Sequence, residues 1–262
     1  MNAAERLGLT PAALQAIFAM KYGPPGELGW APAMRARFRH FNPDEHYEAL
    51  VDQLVGPTTR WLDVGCGREL FPSNRPLARV LADRCRRLVG VDPDATLDEN
   101  PFVHERVALR FDDYAPAEPF DLVTMRMVAE HVTEPDRVVA ALARSVVAGG
   151  HVVVYTVDRW SPVPLVTSIV PFALHQPIKR LLWGTHAKDT FATAFRMNTR
   201  RRLDALLRAG GFVEERFARV DDCRTLAQFR IGQWLELSAW RAMRWIGLGY
   251  PEACLIGLYR RA

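Results

Sequence analysis

Residues 61–67 read Trp-Leu-Asp-Val-Gly-Cys-Gly, and no other stretch limits the fold of this chain so sharply. A short apolar run ends in an acid, then in two glycines one residue apart. Such a run is long enough for a buried strand and too short for a buried helix. The glycines permit a sharp turn and let a ligand approach the main chain. A strand ending this way belongs at the carboxyl edge of an open α/β sheet, where ligands bind.

The flanking sequence repeats the pattern. Apolar strands are expected at 60–64, 88–91, 107–111, 120–125 and 151–156. Helices are expected between them at 76–86, with Asn74 as cap and Pro76 in the first turn, and at 135–147, stopped by Gly149 and Gly150. Continuous apolar strands alternating with helices mark a parallel sheet covered on both faces. Before this core, residues 1–57 read as a helical cap, with helices at 11–21 (Thr10 as cap) and 43–54 (Asn42 as cap) around a Gly23-Pro24-Pro25-Gly26 breaker. After it, residues 158–197 lose the rhythm and read as an inserted lid. The pattern resumes with Asn198 capping a helix to 209, a strand at 212–220, a helical stretch at 224–247 whose aromatic residues are expected mostly in the core, and a last strand at 253–259. The organisation expected is one domain of 262 residues, with 58–157 as the ligand-binding core and 198–262 completing the sheet.

Composition narrows the class further. The four cysteines, Cys66, Cys85, Cys223 and Cys254, form no C-x-x-C pair, so neither zinc nor a redox dithiol is indicated. They fit a reducing cytoplasm. The first residues, MNAAERLGLT, lack the apolar core of a signal peptide. The uncharged run 160–178 holds four prolines, which disfavours a spanning helix but leaves room for contact with a membrane surface. Charge is divided: residues 1–157 carry 17 basic and 21 acidic side chains, residues 158–262 carry 17 and 9. Any use for the excess arginine therefore falls in the second half, toward an anionic substrate or surface.

The acids at the strand ends suggest a ligand. A dinucleotide-binding loop wants a third glycine at position 70, and that position is Leu70. Asp63 precedes the first glycine, where it would repel phosphate and suit a cationic amine. Asp92, followed by Pro93, ends the second strand, where a carboxylate can accept both hydroxyls of a ribose. Asp112 or Asp113, after the third strand, can accept from an adenine amino group. Amine, ribose and adenine together describe S-adenosylmethionine.

The segments LDVGCGRE (62–69), LVGVDPD (88–94), FDLVTMRMVAEHVTEPDRVV (120–139) and VVAGGHVVVYT (146–156) resemble, in order and spacing, the class I S-adenosylmethionine-dependent methyltransferases of the type 11 group. The resemblance implies a doubly wound, Rossmann-like sheet of seven strands, with the last one antiparallel and placed between the fifth and sixth. It puts Asp63 under the methionine moiety and the backbone of Gly65, Cys66 and Gly67 close to the cofactor. Asp92 and Pro93 fall at the ribose, Asp112 or Asp113 at the adenine, and Arg126 and Met127 along the site after the fourth strand. S-adenosylhomocysteine is the implied product.

Beyond the cofactor the expectations concern an acceptor. His131, in the Glu130-His131 pair, is the candidate general base, needed only if the acceptor must lose a proton. Helix-start packing is the plain alternative. Cys66 has no base spaced to activate it and reads as small-residue packing. His175 and Arg196 are candidate acceptor contacts, Arg196 for an anionic group. No metal cluster is indicated. The activity expected is methylation, on oxygen by preference, of a small organic acceptor, anionic or lipid-linked, in secondary metabolism or glycan or lipid modification. Two alternatives are a cofactor-binding scaffold without catalysis, suggested by Glu69 where the family has a third glycine, and a nucleic-acid methyltransferase. The second is disfavoured because 125–128 read Met-Arg-Met-Val, without the Pro-Pro-aromatic signature of base methylation.

Overall fold

The computed structural model describes residues 1–169 and 193–262. Most of the expected lid, including His175, lies outside the described residues. The strands are β1 (Arg60–Val64), β2 (Arg87–Val91), β3 (Glu105–Val107), β4 (Phe120–Arg126), β5 (Val146–Val157), β6 (Phe212–Asp221) and β7 (Ala253–Arg261). They form one seven-stranded sheet in the order β3-β2-β1-β4-β5-β7-β6. The first five pair in parallel, and β7 runs antiparallel to β5 and β6. The antiparallel last strand thus sits where the resemblance places it. The order reverses between β1 and β4, which opens a crevice at their carboxyl ends.

Alternation along the strands divides the core in two. Trp61, Leu88, Leu122 and Val153 face one side, packed on Leu50 and Val51 of α4 (Pro43–Leu54) and on Leu77 and Leu81 of α5 (Arg75–Arg84). Leu14 and Ile17 of α2 (Pro11–Tyr22) extend the same layer. Leu62, Val89, Val123 and Val152 face the other, under Val138 and Leu142 of α6 (Pro135–Ser145) and Leu203 and Leu207 of α8 (Arg200–Ala209). Burying each such side chain contributes about 1.5–3 kcal/mol. A one-residue slip of any central strand would exchange the two layers, so the register is strongly specified. The remaining helices are α1 (Ala3–Arg6), α3 (Trp30–Phe38), α7 (Pro162–Ile169) and α9 (Arg230–Trp245). No described helix is long and apolar enough to cross a membrane.

Several expectations are corrected. The third strand is Glu105–Val107, not 107–111, and Phe111–Asp113 form a single 3-10 turn. Thr199, not Asn198, caps α8: its hydroxyl accepts the Arg202 N–H at 3.3 Å. Asn198 instead donates to Thr156 Oγ1 at 2.7 Å and Val157 O at 3.2 Å, tying the chain back to β5. The last helix starts at Arg230 rather than 224. Its aromatic residues are not mostly core. Trp240 is buried, but Phe229, Trp234 and Trp245 are exposed. Helical spacing reveals that residues share a face, not which face turns inward.

Candidate cofactor and acceptor site

The loop after β1 has the left-handed backbone its glycines allow, with φ of 68° at Gly65 and 44° at Gly67. At Gly65 there is also no room for a side chain. A Cβ there would lie 2.3 Å from Val128 Cγ2, so the turn leaving β4 packs directly on this glycine. At Gly67 the side is open, with nothing nearer than Thr96 Oγ1 at 3.8 Å and Asp92 Oδ2 at 3.9 Å. Buried Asn100 fixes the loop from below by donating to Gly67 O at 3.1 Å. Cys66 is packed and protonated: burial pushes its thiol up, and its sulfur fills the space over Gly90.

Asp92 closes the loop from β2. Its Oδ2 accepts the Gly67 N–H at 2.9 Å and its Oδ1 the Asp94 N–H at 2.8 Å. A carboxylate oxygen accepts more than one hydrogen bond, so both oxygens can still take hydroxyls. Pro93 beside it is exposed.

Asp63 is buried at the end of β1. Thr124 on β4 donates its hydroxyl to Asp63 Oδ1 at 2.5 Å and accepts from Trp61 Nε1 at 2.7 Å. Burial pushes the Asp63 carboxyl up to about 7, against the downward pull of the Thr124 hydrogen bond and of Arg126. A cation placed above it would restore the ionised form.

The acids after β3 are less open than the sequence suggests. Asp112 is buried and pairs with Arg110 at 3.1 Å and Arg137 at 3.4 Å. Burial raises its carboxyl, but the Arg110 hydrogen bond and the charge of both arginines hold it below the usual range. Asp113 is exposed and pairs with Arg137 at 2.7 Å. Both acids therefore lie in the 3-10 turn beyond β3, not at the strand end itself, and both have guanidinium partners.

The turn after β4 carries Arg126, Met127 and His131. Met127 holds a left-handed φ of 53° without being glycine, and its N–H donates to Tyr155 O at 2.7 Å. Such a residue is uncommon and costs about 1 kcal/mol or more, a feature concentrated at functional turns. His131 is half-buried on the same turn. Glu130 beside it is buried, its carboxyl pushed up by burial while accepting from Thr156 Oγ1 at 2.6 Å. The Glu130 carbonyl accepts the Ala194 and Phe195 N–H groups, and Arg196 donates to Thr133 O at 2.8 Å. Segment 193–196 is thereby fastened to the turn that bears His131.

Sequence reasoning missed the wall facing Arg126. Asp44, in the first turn of α4, receives Arg126 Nη2 at 3.1 Å, the Tyr155 hydroxyl at 3.1 Å and Arg224 Nη1 at 2.5 Å. Burial pushes the Asp44 carboxyl up, but the Arg224 and Arg126 guanidiniums together hold it well below its ordinary range. In the sequence Asp44 reads as an ordinary acid favoured by the helix dipole, with no spacing that links it to residues 126, 155 or 224. A separate cavity of about 890 Å³ lies between α2, α3, α9 and the end of β6, lined by Phe18, Phe38, His40 and Trp240. It shares none of the glycine-loop residues.

The residues present fit S-adenosylmethionine: an open glycine at Gly67, two acceptor oxygens on Asp92, and a buried acid in Asp63 that a cation would ionise. Among the described residues, no three His, Cys, Asp or Glu side chains group as a metal site. Residues 34–214 match the family described as a methyltransferase domain. The ubiquinone biosynthesis O-methyltransferase of Rhodopseudomonas palustris (strain BisB18) is 32% identical over 143 residues, 51% of this chain and 52% of its own. Its namesake from Hydrogenovibrio crunogenus is 28% identical over 188 residues, 68% and 71% of the two chains. The chain thus spans about half the length of the first of these relatives. Among solved structures, an S-adenosylmethionine-dependent methyltransferase from Mesorhizobium loti superposes with a TM-score of 0.54 at 18% identity, covering 84% of this chain and 98% of that one. That likeness shows the fold alone. With a family match over most of its length, on this sheet order, the chain belongs to the class I S-adenosylmethionine-dependent methyltransferases.

Proposed function

We propose that the chain methylates an oxygen atom of a small organic acceptor. The observation that carries this reading is the packing of the post-β4 turn, through Val128, onto Gly65 of the cofactor loop. That packing supports a reading in which Arg126 and His131 face the reactive end of the cofactor. The relatives named above carry O-methyltransferase names, which supports oxygen as the atom modified. When bound, S-adenosylmethionine supplies the methyl group, whose bond to sulfur breaks as the bond to the acceptor oxygen forms, leaving S-adenosylhomocysteine.

The chain's own residues bind, orient and remove a proton. Asp63 faces the cofactor's ammonium, Asp92 its ribose hydroxyls, and Asp112 or Asp113 its adenine. His131 takes the proton of the acceptor hydroxyl. Arg126, steadied by Asp44, offers its remaining donors to an anionic group of the acceptor, with Arg196 on the segment fastened to the His131 turn as a second contact. Alignment of the two reacting atoms supplies much of the rate. Transfer of labelled methyl groups to hydroxyl-bearing acceptors tests the reading. Products methylated only on nitrogen or carbon would overturn it.

Two expected results follow from these assignments. His131→Gln lowers kcat about 100-fold on an acceptor whose hydroxyl is un-ionised, with the cofactor dissociation constant unchanged. A loss of cofactor affinity in place of kcat would make His131 structural. The second concerns pH. The Asp63 carboxyl is raised in the folded protein, so its contribution to stability is full below the ordinary carboxylate range and lost as pH rises toward about 7. The cofactor's ammonium favours the ionised form, so the linkage runs the opposite way for binding. Affinity for S-adenosylmethionine should rise about tenfold from pH 6 to pH 8. Asp63→Asn should flatten that slope, and a slope that persists would refute the contact.

A further inference from the structure

Among the described residues, helix α9 bonds to the body through one side. Glu236 accepts the Leu226 N–H at 3.0 Å and the Tyr250 hydroxyl at 3.2 Å, and Trp240 Nε1 donates to Asp221 Oδ2 at 2.9 Å. Leu237 is buried between them. The opposite side is apolar. Ile231, Trp234, Leu235 and Trp245 recur at helical spacing and are exposed, Ile231 by 75% and Trp245 by 88%, and Ile246 and Leu248 continue the strip. Ser238, Ala239 and Ala242 fill the positions between, so the strip itself carries no charge and Arg241 marks its edge. A surface helix of a soluble protein ordinarily turns polar residues outward. This one is inverted over most of its length.

The flanking charges indicate what it meets. The only acid of the helix, Glu236, is buried and fully bonded. The exposed charged residues of α9 are Arg230, Arg241 and Arg244, all cationic, and they flank the strip with their guanidiniums over the Trp30, Phe38 and Trp240 rings. Exposed Trp160, beside Arg159, lies next to the chain that follows α9, because Ser161 Oγ donates to Ala253 O at 3.0 Å. Tryptophan settles at the headgroup level of a bilayer, and arginine beside an apolar strip pairs with lipid phosphates.

We propose that α9 is an interfacial helix that lays its Ile231–Trp234–Trp245 face into the surface of a bilayer containing anionic lipid. This does not depend on the methyl-transfer reading. Trp240, Arg241 and Arg244 also wall the 890 Å³ cavity, so docking would set that cavity's rim at the bilayer surface.

Flotation of the full chain with phosphatidylcholine vesicles, with and without phosphatidylglycerol, tests the proposal. The expected result is binding to the mixed vesicles, with a blue shift of tryptophan emission. Trp234→Ala with Trp245→Ala should reduce partitioning about tenfold or more, because two large apolar surfaces are lost from the interface. Arg230→Gln with Arg244→Gln should lower binding to mixed vesicles toward the level of phosphatidylcholine alone. Thermal unfolding of the tryptophan variant, which does not involve the cofactor, should match the parent because those side chains are exposed. Absence of vesicle binding overturns the proposal, as does binding indifferent to the tryptophan substitutions. So does a dimer in solution that these substitutions dissolve while vesicles remain unbound, which would assign the face to a second copy of the chain.

Discussion

Replacing Asp92 with alanine should raise the dissociation constant for S-adenosylmethionine about 10- to 100-fold. Two losses combine. The variant removes the carboxylate offered to the ribose hydroxyls, and a hydrogen bond to a charged group contributes about 1.5–3 kcal/mol. It also removes the acceptor of the Gly67 N–H, so the glycine loop keeps only its Gly65 N–H to Val91 O bond on that side. Asp92→Asn keeps one acceptor oxygen and should fall between. Calorimetric titration measures both variants. Parental affinity in Asp92→Ala would mean that the ribose lies elsewhere.

Gly65→Ala should be the most damaging single change in the loop. The added Cβ needs a left-handed backbone and lies 2.3 Å from Val128 Cγ2. Overpacking and backbone strain together should destabilise the fold by about 2–4 kcal/mol, and the displaced loop should no longer bind cofactor. Adding Val128→Ala removes the clash but not the φ penalty, so it should restore part of the stability. Full recovery would show that the conformation costs nothing. No recovery would show that Val128 is not the obstacle. Denaturant unfolding of the two variants and the pair reads the coupling directly.

Much of the candidate site was legible because strand ends punctuate the sequence. A buried strand of a parallel sheet is a short apolar run, and the residue that ends it points to the crevice. Asp63, Gly65, Gly67 and Asp92 could therefore be read in order. The short β3 was misread because Phe111 extends the apolar composition into what is a 3-10 turn. What stayed hidden is joined only through space. Asp44 meets Arg126, Tyr155 and Arg224 across separations of up to 180 residues, and no local pattern marks any of the four as partners. The inverted face of α9 was hidden for another reason: periodicity gives two faces, and only tertiary packing chooses the inner one.

The most direct test of the central claim is titration of the folded chain with S-adenosylmethionine, with NADH alongside. The expected result is saturable one-to-one binding of S-adenosylmethionine, displaced by S-adenosylhomocysteine, strengthened from pH 6 to pH 8 and weakened in Asp92→Ala, with no binding of NADH. A folded chain that binds neither S-adenosyl compound, or binds them as well without Asp92, would contradict the account.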